Sequence, residues 1–232
     1  MPRLLELFSG TGSMGRAYAA LGWDVTSLDL NPYVAADITC NLMHWDYSAY
    51  SPTHFDAIHA SPPCTHYSCA RTRAKTPRDL EGADTLVSRV LEIIAYFQPT
   101  CWTIENPWTG LMRKRPVVKH LEGLLKCVSY CKYGSRFRKH TAVWSNLLLW
   151  SPRPACSAFM PCAYRENGRH PVTAQRAPGK ENGVRRETRN DRFDLDELYA
   201  IPPELCAELA VAATRQMRAR VAASQLATDG AG

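Results

Sequence analysis

The chain has 232 residues, 45% hydrophobic and 22% charged, with 28 Lys and Arg against 22 Asp and Glu for a net charge of +6. That length and apolar content suit one packed core, or one domain carrying a small insert, and they exclude collagen-like and intrinsically disordered chains. No apolar run approaches the roughly 18 residues of a membrane helix, Met1–Phe8 has no signal-peptide apolar region, and the nine cysteines read as reduced cytoplasmic thiols rather than a disulfide framework.

In chain order, Leu4–Leu7 reads as a short core strand. Phe8-Ser9-Gly10-Thr11-Gly12 is a glycine turn, and Ser13 is placed to cap a helix over Met14–Leu21. Asp24–Leu28 is a second strand ending at Asp29, and Ile38 marks a short third. Asp56–Ala60 is the fourth. It stops at Ser61-Pro62-Pro63, because proline has no N–H for a sheet ladder. Apolar residues at 86, 87, 90, 91, 94 and 97 give a helical period over Asp84–Phe97. Trp102–Ile104 reads as a buried strand ended by Glu105-Asn106-Pro107. Pro116–Leu125 follows as helix, then Val128–Tyr133 and Thr141–Trp144 as strands, and Pro203–Arg220 as an amphipathic helix with proline at its start. The alternation predicts an α/β fold with a doubly wound, mostly parallel sheet. The domain reading is a core over 1–150, a small irregular basic insert over 151–196, a helix over 197–220 returning to the core, and a disordered tail over 221–232.

The basic residues are unevenly placed. Arg113–His140 holds nine Lys and Arg with Glu122 as its one acid, Arg71–Arg78 holds four with no acid, and Arg165–Arg192 holds eight against four. Such blocks point to a polyanion, since a merely solvated surface would interleave signs.

Three short motifs carry chemistry. The strand–Gly10-x-Gly12–helix unit lets backbone approach a ligand at a helix N-terminus, and Asp29, at the end of the next strand, can hold ribose hydroxyls. Cys64 follows Pro62-Pro63 at the carboxyl end of a strand, the edge where open α/β sheets bind ligands. A thiol there is a candidate nucleophile, with cationic side chains available to favour the thiolate. Glu105, at a second strand end, can hydrogen-bond a base edge. Cys156, Cys162 and His170 lie in the insert, with Cys127 and Cys131 upstream. Their spacings do not match common zinc pairs, so free thiols and no metal are the expectation, with a structural zinc at Cys156, Cys162 and His170 left open.

Taken together, Phe8-Ser9-Gly10-Thr11-Gly12, Ser61-Pro62-Pro63-Cys64, Glu105-Asn106-Pro107 and Arg136-Phe137-Arg138 resemble the DNA (cytosine-5) methyltransferase family, small phage-type members above all. The resemblance covers most of residues 3–150 and returns near 199–212. It implies a Rossmann-like methyltransferase fold and S-adenosylmethionine as donor. Phe8, Ser9, Gly10 and Gly12 match the donor loop. Asp29 matches the ribose-binding acid, Leu30 the apolar residue against adenine, and Asn41 stands where an adenine-binding aspartate is usual, with Asp46 as fallback. Pro62 belongs to the same donor edge. Cys64 matches the nucleophile, Glu105 the base-binding acid, and Arg136 and Arg138 the arginines of the Gln-x-Arg-x-Arg motif. Four departures stand out: Asn41, Pro107 for valine, Gly134 for glutamine, and Leu198-Tyr199 for Gly-Asn before Ile201-Pro202-Pro203.

The implied activity is methylation of cytosine C5 in double-stranded DNA. Cys64 would attack C6 of a flipped base, Glu105 would hold N3 and the 4-amino group, and Arg136 would hold O2. Arg71, Arg73, Arg138, Arg165, Arg176 and Arg185 are the expected phosphate contacts. The reduced insert implies a short recognition context. RNA cytosine methylation stays open, as do exocyclic-amine methylation and a non-catalytic nucleic-acid-binding module.

Overall fold

The structure, a computed structural model, describes residues 1–69, 71, 74–172, 174 and 195–229. Seven strands form one sheet in the order β3-β2-β1-β4-β5-β7-β6. These are β1 (Arg3–Leu7), β2 (Asp24–Asp29), β3 (Ile38–Thr39), β4 (Ala57–Ala60), β5 (Cys101–Pro107), β6 (Leu125–Ser129) and β7 (His140–Ser145). Strands β1 to β5 pair in parallel, while β7 runs antiparallel to both neighbours. The helices are α1 (Ser13–Ala19), α2 (Leu80–Phe97), α3 (Leu195–Tyr199) and α4 (Pro203–Asp229). Among the described residues, no helix is long and apolar enough to cross a membrane.

Both sheet faces are covered, as apolar parallel strands require. Along β1 the faces alternate. Leu5 and Leu7 join Ile58, Ile104, Val87, Val90 and Phe97 beneath α2, whereas Leu4 joins Met14, Tyr18, Leu205 and Leu209 beneath α1 and α4. The chain leaves β1 toward β2 and β3, then crosses to β4 on the other side. The carboxyl ends of β1 and β4 therefore flank the reversal point, where an open sheet forms a crevice.

Several elements differ from expectation for identifiable reasons. Helix α1 starts directly after a left-handed Gly12 and has no side-chain N-cap of its own. Instead Glu6, buried on β1, accepts the Met14 N–H at 3.2 Å. Strand β5 continues through Glu105-Asn106-Pro107, because antiparallel β7 offers Val143, Ala142 and Thr141 as partners. Pro107 is tolerated as the last residue, at the strand's margin. The predicted helix at Pro116–Leu125 is a 3-10 run over Pro116–Leu124. It holds β-branched Val117 and Val118 and Gly123, all poor α-helix formers, yet it still buries Val118 and Leu121. Strand β6 ends at Ser129 and gives way to a 3-10 turn over Tyr130–Lys132. Helix α4 runs on to Asp229, correcting the expectation of a disordered tail from 221 to that point. The segment after Trp150 is irregular but not detached, since Trp150 and Val172 belong to the α4-side core and Cys156 is buried.

Helix α4 is held by specific bonds as well as by packing. Thr214 accepts the Trp23 indole N–H at 2.9 Å, and Glu208 accepts that of Trp150 at 3.0 Å. Leu205 is fully buried on this helix. We expect Leu205→Ala to lower the unfolding free energy by about 2–5 kcal/mol through lost transfer energy and a residual cavity, measured by urea denaturation.

Candidate active site

The glycine turn leaves β1 with Phe8 at φ 58°, Gly10 at φ 49° and Gly12 at φ 66°. A non-glycine residue in the left-handed region stores strain on the order of 1–3 kcal/mol, and such strain clusters at functional sites. Asp29 fastens the turn to β2. One carboxylate oxygen accepts the Gly10 N–H at 2.8 Å and the other the Asn31 N–H at 2.8 Å. Each oxygen keeps a lone pair for a further donor. Among the described residues, the buried Ser9 hydroxyl has no hydrogen-bond partner. Leu30 is 65% exposed just past the end of β2. Asn41 follows β3 closely, is exposed, and accepts the Met43 N–H at 3.0 Å. Asp46 instead caps a 3-10 turn through Ser48.

The second edge is the Pro62–Cys64 loop after β4. Pro62 is buried, and its carbonyl accepts the Asn106 side-chain N–H at 2.8 Å. The loop is thereby tied to β5. Below it, buried His59 bridges Thr103 at 2.7 Å and Ser61 at 3.0 Å. Burial drives its pKa down to about 3, so it stays neutral. Beyond Cys64, Arg78 donates to the carbonyls of His66 and Ser68 at 2.5 and 3.1 Å. Tyr67 donates to Asp84 on α2 at 2.8 Å. The thiol thus sits on a braced loop.

Glu105 lies one residue from Asn106 and points to the other face of β5, as strand alternation requires. It is 8% exposed and accepts a hydrogen bond from buried Tyr130 at 2.9 Å. The Lys139 ammonium stands 4.7 Å from the centre of the Tyr130 ring. These groups act on Cys64. Burial pushes its thiol up, the Glu105 charge pushes it further, and Lys139 partly offsets both. Cys64, Glu105 and Lys139 therefore share one electrostatic environment at the carboxyl edge. Glu6, on the same edge of β1, is pushed by burial up to about 7.

The structure places Cys64 and Glu105 in one electrostatic environment, with the glycine turn, Asp29 and Pro62 at the carboxyl ends of β1, β2 and β4 on the same edge of the sheet. Arg136 and Arg138 lie exposed on the loop that returns from the Tyr130 turn to β7. Two expected phosphate contacts are engaged within the chain. Arg71 donates to Thr76 and to the Pro77 carbonyl, and Arg165 donates to the Ser157 carbonyl at 2.6 Å. Arg73, Arg176 and Arg185 lie outside the described residues. Reading the sequence missed Glu6, Asn106, Tyr130 and Lys139. Only Asn106 had a signal, its place beside Glu105. Nor are the cysteines scattered thiols. Cys131, Cys156, Cys162 and His170 converge, because the insert folds back onto the Tyr130 turn.

The parallel sheet with its antiparallel β7 is a Rossmann-like fold. No family model matches the chain. The chain is 33% identical, over 226 residues, to the "Probable DNA (cytosine-5)-methyltransferase" of Frog virus 3, covering 89% of this chain and 98% of that protein. The chain belongs to the DNA (cytosine-5)-methyltransferase family. Among solved structures it is similar to a protein named as a DNA modification methyltransferase of an E. coli prophage (TM-score 0.47, 16% identity, 75% of this chain, 53% of that one). It is also similar to an Entamoeba histolytica methyltransferase (TM-score 0.45, 16% identity, 62% of this chain, 52% of that one). The chain spans about half the length of each.

The Cys64 environment makes a prediction whose two arms have opposite sign. Glu105→Gln removes the charge that raises the thiol, so more thiolate exists at a given pH. Alkylation of Cys64 by iodoacetamide at pH 8, followed by peptide mass spectrometry, should be faster in the variant. Methyl transfer should be slower, because an amide does not replace the carboxylate that Tyr130 holds at this edge.

Proposed function

We propose that this protein methylates C5 of cytosine in double-stranded DNA, with S-adenosylmethionine as donor and Cys64 as covalent nucleophile, in a reducing, cytoplasmic setting. The observation that carries the reading is the joining of Cys64 and Glu105 at one sheet edge. Asn106 clamps the Pro62 carbonyl while Tyr130 orients Glu105.

The donor fits the β1–β2 side. The left-handed turn leaves its backbone open to a ligand, Asp29 has lone pairs for ribose hydroxyls, and exposed Leu30 offers an apolar face for adenine. Asn41, on the neighbouring edge, offers an amide for the adenine. The buried, unpartnered Ser9 hydroxyl is a further polar group on that side. When bound, the donor supplies an electrophilic methyl group.

The target base is stacked in duplex DNA, so it is flipped out at a cost of a few kcal/mol. The Cys64 thiol gives its proton to solvent as its sulfur adds to C6, and N3 takes a proton from solvent as the electron pair arrives there, so that N3–H can donate to Glu105. Electron density moves to C5 and into the ring. Glu105 bonds N3 and the 4-amino group, where the charge arrives, and Arg136 bonds O2. C5 takes the methyl group. Loss of the C5 proton then breaks the S–C6 bond and frees Cys64. Arg138 and the basic blocks hold phosphates.

Cys64→Ser should abolish methyl transfer from labelled donor and leave donor binding unchanged, since the thiol contacts only the base. DNA carrying 5-fluorocytosine should trap a denaturation-stable adduct with the wild type, because fluorine does not leave as a proton does. Normal turnover by Cys64→Ser would overturn the covalent step. An active wild type that forms no adduct would favour amine methylation, and preferential transfer to RNA would move the substrate class. Tyr130→Phe should lower the rate about tenfold to a hundredfold, as loss of a hydrogen bond to a charged group, worth about 1.5–3 kcal/mol, implies.

The insert sets the recognition context. Its described part, from Trp150 to Val172, has no regular strand or helix, and its contribution to the core is Trp150, Cys156 and Val172. Few side chains can be held rigidly at a groove edge, where each bidentate contact supplies about 1–3 kcal/mol of discrimination. We expect a context of at most about two or three base pairs and affinity that falls steeply with salt. Sequencing of methylated random DNA checks the first expectation, and a strict site of five or more pairs would contradict it.

A further inference from the structure

The four side chains Cys131, Cys156, Cys162 and His170 have ligand atoms that all lie within 4.8 Å of one another. We infer that they form a structural tetrahedral zinc site that fastens the insert to the active-site edge of the sheet.

The donor set selects the ion. Three thiolates and one imidazole nitrogen suit Zn²⁺, whereas calcium and magnesium take oxygen ligands. The separations fit as well. Zinc–sulfur bonds of about 2.3 Å and zinc–nitrogen bonds of about 2.0–2.1 Å imply tetrahedral edges of roughly 3.5–3.8 Å. His170 Nε2 lies 3.1 Å from Cys162 Sγ and 3.8 Å from Cys156 Sγ. An ion between these atoms would need only small side-chain adjustments. On binding, each thiol loses its proton to solvent as its sulfur–zinc bond forms, and His170 binds through neutral Nε2.

The backbone around the ligands is already fixed. The Cys156 N–H donates to the Ser129 hydroxyl at 2.9 Å, and that hydroxyl also meets His140 at 2.8 Å. Lys132 donates to the Pro161 carbonyl at 2.6 Å, next to Cys162. Arg165 ties the following turn to Ser157, and Glu166 and Arg169 pair across a short bridge just before His170. Cys131 and Cys156 are buried, and Cys162 and His170 partly so. This is the closed environment of a structural ion rather than a catalytic one with an open position. A three-thiolate, one-imidazole site carries one net negative charge, and Lys132, Arg138 and Arg165 supply compensating cations nearby.

The site also meets a need set by composition. The insert has little regular structure and few core side chains, and small irregular segments are commonly held by a metal or by disulfides. Three ligands lie on the insert. The fourth, Cys131, is the next residue after Tyr130, whose hydroxyl holds Glu105. The ion would therefore fix the position of the insert relative to the base-binding acid. That consequence rests on the proposed function, but zinc binding itself does not.

The test uses the full-length protein, purified under reducing conditions with no added metal. Elemental analysis by mass spectrometry should find about one zinc per chain. Zinc released by a mercurial thiol reagent should give the same stoichiometry. Replacing zinc by Co²⁺ should give the thiolate-to-cobalt charge-transfer band and the intense visible bands of a tetrahedral sulfur-rich site. That spectrum reads the ligand set in the unmutated chain, so it survives a variant that fails to fold. Cys162→Ser with His170→Ala should lose zinc, whereas Cys127→Ser, at a half-buried cysteine outside the cluster, should retain it. A zinc-free wild type, zinc retained by the double variant, or a disulfide among Cys131, Cys156 and Cys162 in peptide mapping would each overturn the inference. None of these readouts uses DNA or methyl donor, so a failure of the methylation reading would leave their outcome intact.

Discussion

Two hydrogen bonds from neighbouring residues of β5 hold the site together. Asn106 donates to the Pro62 carbonyl on one side of the strand, and Glu105 accepts from Tyr130 on the other. Strand alternation makes this possible, since adjacent side chains leave a strand on opposite faces. The same property makes it fragile, because a slip of one residue would exchange the two. Antiparallel β7 guards the register. It pairs Glu105 with Val143 and Asn106 with Ala142, and it buries both polar residues in the process. Left without their bonds to Pro62 and Tyr130, the Asn106 N–H and the Glu105 carboxylate would be destabilising. Paired, they link the Cys64 loop, the Tyr130 turn and the sheet into one unit.

What could be read from the sequence was local. A glycine turn after an apolar strand, an acid ending the next strand, a cysteine after two prolines and a glutamate at a strand end each announce themselves within five residues. The groups that position them do not. Tyr130 is 25 residues from Glu105 and Pro62 is 44 from Asn106. No periodicity joins such pairs, and only the fold brings them into contact. Glu6 shows the same limit at shorter range. It looked like one more strand residue, yet it serves the N-terminus of α1 in place of the expected Ser13 cap. Helix and 3-10 turn were confused at Pro116–Leu124 because both bury every third or fourth residue. The cysteine–histidine cluster was hidden because Cys131 lies on the core and the other three ligands on the insert, so no spacing rule spans the set.

Charge was legible in amount but not in use. The block from Arg113 to His140 looked like a phosphate surface. Arg113 donates to the Trp108 carbonyl and stacks on its ring, Arg115 pairs with Asp84 at 2.7 Å, Lys119 pairs with Glu122, and Lys126 bonds the Trp150 carbonyl. Lys132 and Lys139 bond the carbonyls of Pro161 and Leu198. A cation bonded to a neutral carbonyl keeps its charge and still shapes the field around the protein. It has lost its freedom, however, to follow a phosphate. Much of the basic surplus in this block is thus bonded within the chain, and the share left for DNA is smaller than the sequence count implies.

The resting state of Cys64 bears on the proposed chemistry. Burial and the Glu105 charge hold the thiol above its ordinary range, with Lys139 as partial relief. A neutral thiol is a poor nucleophile and also a poor target for oxidants. On the proposed reading, the flipped cytosine changes this balance. Its 4-amino group would donate to Glu105 and partly compensate the charge that had been acting on the sulfur, while the base fills the space beside the thiol. The substrate would then remove one of the two influences that keep Cys64 protonated. Lys139, packed against the Tyr130 ring, would be left as the dominant nearby charge and would favour the thiolate. The same carboxylate would restrain the nucleophile in the empty site and stabilise the adduct in the filled one, so reactivity would appear only when there is a base to attack.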